Sequence, residues 1–129
     1  MMPYERLNAW QACMTLWVEI YRTTEAWPRR EWYGLAAQIR KAALSAGSNI
    51  AEGASKRGVR EMARFTDIAV GSLAEVSHQL LAARAVGILP EVDYRRLAEI
   101  QQGAGRLTSG LLRGLRRRIK RESEGRIVG

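Results

Sequence analysis

A chain of 129 residues with 47% hydrophobic composition is long enough for one domain with a packed core, and too apolar to stay disordered. Its 21 basic and 13 acidic residues give +8, but residues 106–129 hold eight of the bases and only two of the acids, so the body is nearly neutral and the charge belongs to the C-terminal end. The single Cys13 excludes an internal disulfide, and no stretch approaches the roughly 18 uninterrupted apolar residues of a membrane span.

The first predicted helix covers 6–25. Leu7, Trp10, Met14, Trp17 and Tyr21 recur at helical spacing, and Ala9, Cys13, Leu16 and Ile20 form a second stripe beside them. The combined face is wider than a two-helix seam needs. Aromatic residues crowd this part of the chain (Trp10, Trp17, Tyr21, Trp27, Trp32, Tyr33), which favours core packing with subunit contact added. Pro28 closes the segment, and MMPYERLNAW carries charges where a signal peptide has an apolar run, so the expected compartment is the cytoplasm.

The second helix covers 31–53, from the N-terminal carboxylate of Glu31 to the stop at Gly53. Leu35, Ile39, Ala42, Ala46 and Ile50 make its apolar stripe. Beside that stripe lie Gln38, Ser45, Asn49 and Glu52, spaced by 7, 4 and 3. A solvated face in a chain this basic would carry Arg and Lys; amides, a hydroxyl and a carboxylate suit fixed hydrogen bonds instead. The loop 54–58 carries turn residues with Lys56 and Arg57.

The third helix covers 59–87, with Met62, Phe65, Ala69, Leu73, Val76, Leu80 and Ala83 facing the core. Ser72, Glu75 and Gln79 can face the polar stripe of the second helix, with Arg40, Lys41 or Arg64 balancing the carboxylates. With no nucleophile or metal ligand in this set, a hydrogen-bond network that fixes helix register outranks a ligand site. Glu75 and His78 match one Glu-x-x-His element of di-iron bundles, but His78 is the sole histidine and such sites need two copies. We expect no metal, no cofactor and no catalytic centre.

The fourth helix covers 90–120 and opens at Pro90. Its apolar face is Tyr94, Leu97, Ile100, Ala104, Leu107, Leu111, Leu115 and Ile119. Gly103, Gly105, Gly110 and Gly114 weaken it by roughly 1 kcal/mol each relative to Ala, so it needs tertiary or subunit contacts. Arg106, Arg113, Arg117 and Lys120 share a face, with Arg116, Arg118 and Arg121 beside them and no acid between Arg106 and Arg121. Solvated charge runs normally mix signs. This one suits RNA or DNA phosphate backbones without base readout, since aromatics are absent from it. The alternative is a protein–protein interaction module whose charge confers only solubility. The expected architecture is all-α, an antiparallel up-down four-helix bundle over 1–121 with a short tail over 122–129.

With the helices placed, Leu7 to Leu89 resembles the bacterial four-helix-bundle proteins encoded within intervening sequences of large-subunit ribosomal RNA genes. The likeness is carried by Trp10, Tyr21, Pro28, Glu31, Gly34-Leu35, the block Gln38 to Ala43, Ser45 and the block Ser48 to Gly53. It continues through Phe65, Ala69, Gly71-Ser72, Glu75, Gln79-Leu80, Ala83 and Gly87. Ala46-Gly47 departs from the family's usual Ile-Pro, and Thr66 stands where an apolar residue is usual. The resemblance implies a four-helix bundle. Through a likeness to the accessory protein of diversity-generating retroelements, it implies a homo-oligomeric ring, a pentamer, with a basic surface.

Overall fold

The computed structural model describes residues 2–128. Four α-helices make the fold: α1 (Asn8–Glu25), α2 (Leu35–Ser55), α3 (Val59–Ala85) and α4 (Glu91–Val128). Short 3-10 turns, Pro3–Arg6 and Arg29–Glu31, precede α1 and α2. Each helix packs on its two neighbours, α1 on α2 and α4, α3 on α2 and α4, and the diagonal pairs stay apart. Contacts descend one helix as they climb the next: Glu19 meets Arg96 while Cys13 meets Thr108, and Ser45 meets Ser72 while Gly53 meets Phe65. The chain is therefore an antiparallel up-down four-helix bundle, and no strand occurs among the described residues.

The core follows the apolar periodicity. Leu16, Ile20, Ile39, Ile50, Leu73, Val76, Leu80, Leu97 and Ala104 are buried in one cluster, and each large aliphatic side chain among them contributes about 1.5–3 kcal/mol on burial. A second cluster, Val59, Ala63, Leu112 and Leu115, closes the end where α3 begins. In α1 the centre of the wide face is the small stripe of Cys13, Leu16 and Ile20, while Met14 and Tyr21 of the aromatic stripe are exposed. In α4, Leu107 leaves the predicted face at 44% exposure and Thr108 takes its place in the core, its hydroxyl 3.7 Å from the Cys13 sulfur. Burial pushes the Cys13 thiol up, and the Thr108 contact offsets part of that shift.

Two glycines do specific work. A Cβ on Gly53 would lie 2.8 Å from the Phe65 Cβ and 3.3 Å from the Met62 backbone, so α2 and α3 approach there as only glycine permits. Gly87, at φ +80°, terminates α3 in a left-handed turn in which the Ile88 and Leu89 amides donate back to the Ala83 carbonyl.

Two expectations are corrected. The second helix does not start at Glu31: Arg29–Glu31 is a 3-10 turn, and α2 begins at Leu35 after Gly34, whose backbone (φ −105°, ψ −112°) is not helical. Trp32 Nε1 donates to the Trp27 carbonyl at 2.9 Å and holds this connection compact. The departure at Ala46-Gly47 leaves α2 unbroken, and Thr66 satisfies its buried hydroxyl by donating to the Met62 carbonyl at 2.7 Å. Finally, α4 does not end near Arg121 but continues through Val128. Residues 118 and 122, 120 and 124, and 122 and 126 place opposite charges at i,i+4, and Arg60 Nη2 donates to Ser123 Oγ at 3.1 Å from the start of α3.

Candidate nucleic-acid interface

The basic residues of α4 form a ridge because α1 is short. α1 has 18 residues against 38 in α4. Its first residues, Leu7 to Ala9, face Arg106, Leu107, Gly110 and Leu111 across a shallow depression. The 3-10 turn before it packs on α1 and α2, not on α4. Beyond Gly114 the α1 side of α4 is therefore uncovered, and Gly110, Gly114, Arg117, Arg118 and Arg121 line a second depression there. On the opposite side, Arg106 and Arg113 border a groove against Val70, Leu73 and Ala74 of α3.

Arg106, Arg113, Arg116, Arg117, Arg118, Lys120 and Arg121 are all exposed. Of these, only Arg116 has an acidic partner among the described residues, Asp67 at 3.7 Å. The half-buried glycines of the helix touch mainly arginine: a Cβ at Gly103, Gly110 or Gly114 would meet the guanidinium of Arg106, Arg113 or Arg117 at 3.7–3.9 Å. These glycines lower the ridge and let arginine side chains lie back along bare backbone.

Sequence reasoning missed Arg60. It lies 63 residues before Ser123 in the chain, and only antiparallel packing brings the two together. The loop cations Lys56 and Arg57 sit at this same end of the bundle. Lys56 is paired with Glu52 at 4.0 Å and lies over the Phe65 ring. Arg64 is also engaged, stacking 4.4 Å from the Phe65 centroid and pairing with Glu61 at 3.2 Å, which lowers the Glu61 carboxyl below its ordinary range.

The polar stripe is partly assembled. Ser45 Oγ and Ser72 Oγ meet at 3.0 Å across the α2–α3 seam, and Asn49 Nδ2 donates to the Ser45 hydroxyl at 3.0 Å and to its carbonyl at 2.8 Å. Gln38, Ser45 and Glu75 share the lining of one depression. Gln79 is buried, with a long 3.5 Å bond to Glu75 Oε1 and its own carbonyl oxygen unpartnered. Two members of the stripe stay out of the seam. Glu52 is not buried: its side chain is 54% exposed and pairs with Lys56, because it lies farthest round α2 from the Ile39–Ala46–Ile50 face. Asn49 is half-buried and bonds within α2 rather than to α3. Of the candidate balancing cations, Lys41 lines the same depression as Gln38, Ser45 and Glu75, whereas Arg40 Nε donates to Thr24 Oγ1 at 2.7 Å and its guanidinium stacks on Tyr21. Glu75 and His78 are both exposed.

A bundle whose α2 carries the Ser45–Asn49–Gly53 seam against α3 agrees with one family by sequence. The family described as 23S rRNA-intervening sequence protein matches residues 5–110. The chain belongs to that family. No curated relative matches it. The 23S rRNA-intervening sequence protein match extends the likeness read from Leu7–Leu89 into the first half of α4 and covers the α2–α3 seam, the Cys13–Thr108 contact and Arg106. Arg113, Arg116, Arg117, Arg118, Lys120 and Arg121 lie beyond it. Family membership thus accounts for the bundle, and the basic ridge must be judged on its own chemistry. No helix of the described residues is long and apolar enough to cross a membrane.

Proposed function

We propose that this member of the family is a non-enzymatic, self-associating cytoplasmic bundle that binds RNA or DNA phosphate backbones through α4, without base specificity. The observation that carries the reading is the acid-free run from Arg106 to Arg121, whose seven cations are all exposed and make a single ion pair among the described residues. Guanidinium groups bind phosphate by charge and by paired hydrogen bonds, and backbone contacts of this kind carry no sequence information. Self-association is supported by apolar surface left uncovered on one bundle: Met14, Tyr21 and Leu107 are exposed. In a closed ring, a pentamer by the likeness to the retroelement accessory protein, the ridges repeat about the axis, and avidity multiplies a weak affinity by roughly 10²–10⁴.

The test is the triple substitution of Arg113, Arg117 and Lys120 by Glu. It abolishes binding to mixed-sequence RNA and duplex DNA without altering helicity or assembly, whereas changing Lys56 and Arg57 to Glu has a smaller effect. A triple variant that binds as the parent does, or a parent that binds neither polymer at about 50 mM salt, hands the function to the protein–protein alternative. Light scattering at micromolar concentration gives a mass well above 14.5 kDa if the bundle self-associates; the monomer mass refutes the ring, and a dimer mass keeps association while discarding it.

A further inference from the structure

The cations of α4 do not lie on one line; they occupy both flanks of a ridge. Arg113 borders the groove against α3, Arg116 reaches Asp67 of α3, and Arg60 is held beside Ser123 on the same side. Arg118 and Arg121 border the depression on the other flank, where α1 has ended. Arg106 lines a depression on each side and so stands on the crest. At 3.6 residues per turn, Arg113 and Arg118 project roughly 140° apart around the helix axis. A single strand running along one flank leaves the other flank's cations unused.

We propose that α4 is built to enter the major groove of B-form duplex DNA, with a phosphate row against each flank. This rests on the phosphate-binding reading above and narrows it to one partner. A helix with side chains is about 10–12 Å across, and the B-form major groove is about 12 Å wide, so a ridge with cations on both sides meets both walls at once. The A-form RNA major groove is deep and too narrow for this. Single-strand binders add stacking of bases on aromatic faces; α4 carries no aromatic residue beyond Tyr94, and Phe65 of α3 is buried with its ring capped by Arg64 and Lys56. The flank beside α1 is open only because α1 begins opposite Leu107–Leu111, which leaves α4 from Gly114 onward held by α3 alone.

The experiment compares one mixed sequence as DNA duplex, RNA duplex and single-stranded DNA, of equal length and at equal salt, binding to the full chain. An RNA duplex is at least as densely charged as a DNA duplex, so it separates groove entry from charge alone. The DNA duplex should bind at least tenfold tighter than either comparator. The major-groove dye methyl green should be displaced, while the minor-groove ligand netropsin should stay bound. Replacing Arg118 and Arg121 by Gln should weaken duplex DNA about tenfold and single-stranded DNA several-fold less, since a duplex loses one of its two phosphate rows while a single strand can settle on the other flank. Equal binding of RNA and DNA duplexes, retention of methyl green, or equal loss on both forms in the double variant overturns groove entry while the phosphate-binding reading stands. Absence of binding to all three overturns both.

Discussion

The tight approach of α2 to α3 at Gly53 offers a sharp test of the bundle's packing. Replacing Gly53 by Ala puts a methyl group 2.8 Å from the Phe65 Cβ and 3.3 Å from the Met62 Cα and carbonyl oxygen. The neighbouring atoms are backbone or attached directly to it, so they cannot swing aside, and α2 and α3 must separate. Overpacking of this kind costs about 1–3 kcal/mol. Against it stands the helical advantage of Ala over Gly, roughly 1 kcal/mol. Because the crowded atoms are the least movable, the packing cost wins, by up to about 2 kcal/mol, and melting falls by up to about 8 °C for a domain of this size. Gly71 supplies the control. It lies inside α3 with nothing within 4 Å of a built Cβ, so Gly71→Ala has only the helical advantage and stabilises by about 0.5–1 kcal/mol. Thermal or urea unfolding followed by circular dichroism, at one protein concentration for both variants, reads the two signs. If Gly53→Ala stabilises as Gly71→Ala does, the α2–α3 contact is not as close as described.

The Ser45–Ser72 hydroxyl pair should show a coupling of about 0.5–1.5 kcal/mol in a double-mutant cycle to Ala; additive single effects would mean the hydroxyls do not fix register. Cys13, buried beside Thr108, should resist a thiol reagent in the native bundle and react only as fast as the chain opens. Its raised pKa favours the protonated fold, so stability is unaffected below the ordinary thiol range and falls as pH rises above it. Cys13→Ala should remove that component of the alkaline loss, and an unchanged pH profile would contradict the assignment.

How much was legible in the sequence differs from helix to helix. The α3 stripe from Phe65 to Ala83 is the core face in the structure, because one uninterrupted period of apolar residues leaves a helix a single way to pack. α1 was harder, since two adjacent stripes compete and bulk does not decide: the smaller Cys13–Leu16–Ile20 stripe takes the centre and the large aromatics form its rim. Local signals misplaced the C-terminal half of the polar stripe. Glu52 and Asn49 share a helical row with Ser45, but the row lies at the edge of the α2–α3 seam, and only Ser45 reaches across it. The extent of α4 was invisible to glycine counting, because Ser123 is held by Arg60 through a contact that no window along the sequence contains. The same long-range packing turns a run of arginines into a ridge with two flanks.

The central claim, that α4 binds phosphate backbones, is met most directly by a salt titration of binding to a mixed-sequence duplex. Counterion release makes log K fall linearly with log salt, with a slope of about −0.9 per neutralised phosphate. With Arg106, Arg113, Arg117, Arg118, Lys120 and Arg121 each engaging one phosphate of the duplex, the slope should be about −5 per subunit, and it should shrink sharply in the Arg113, Arg117 and Lys120 to Glu variant. A parent affinity that does not change with salt, or a variant that keeps the parent slope, would contradict it.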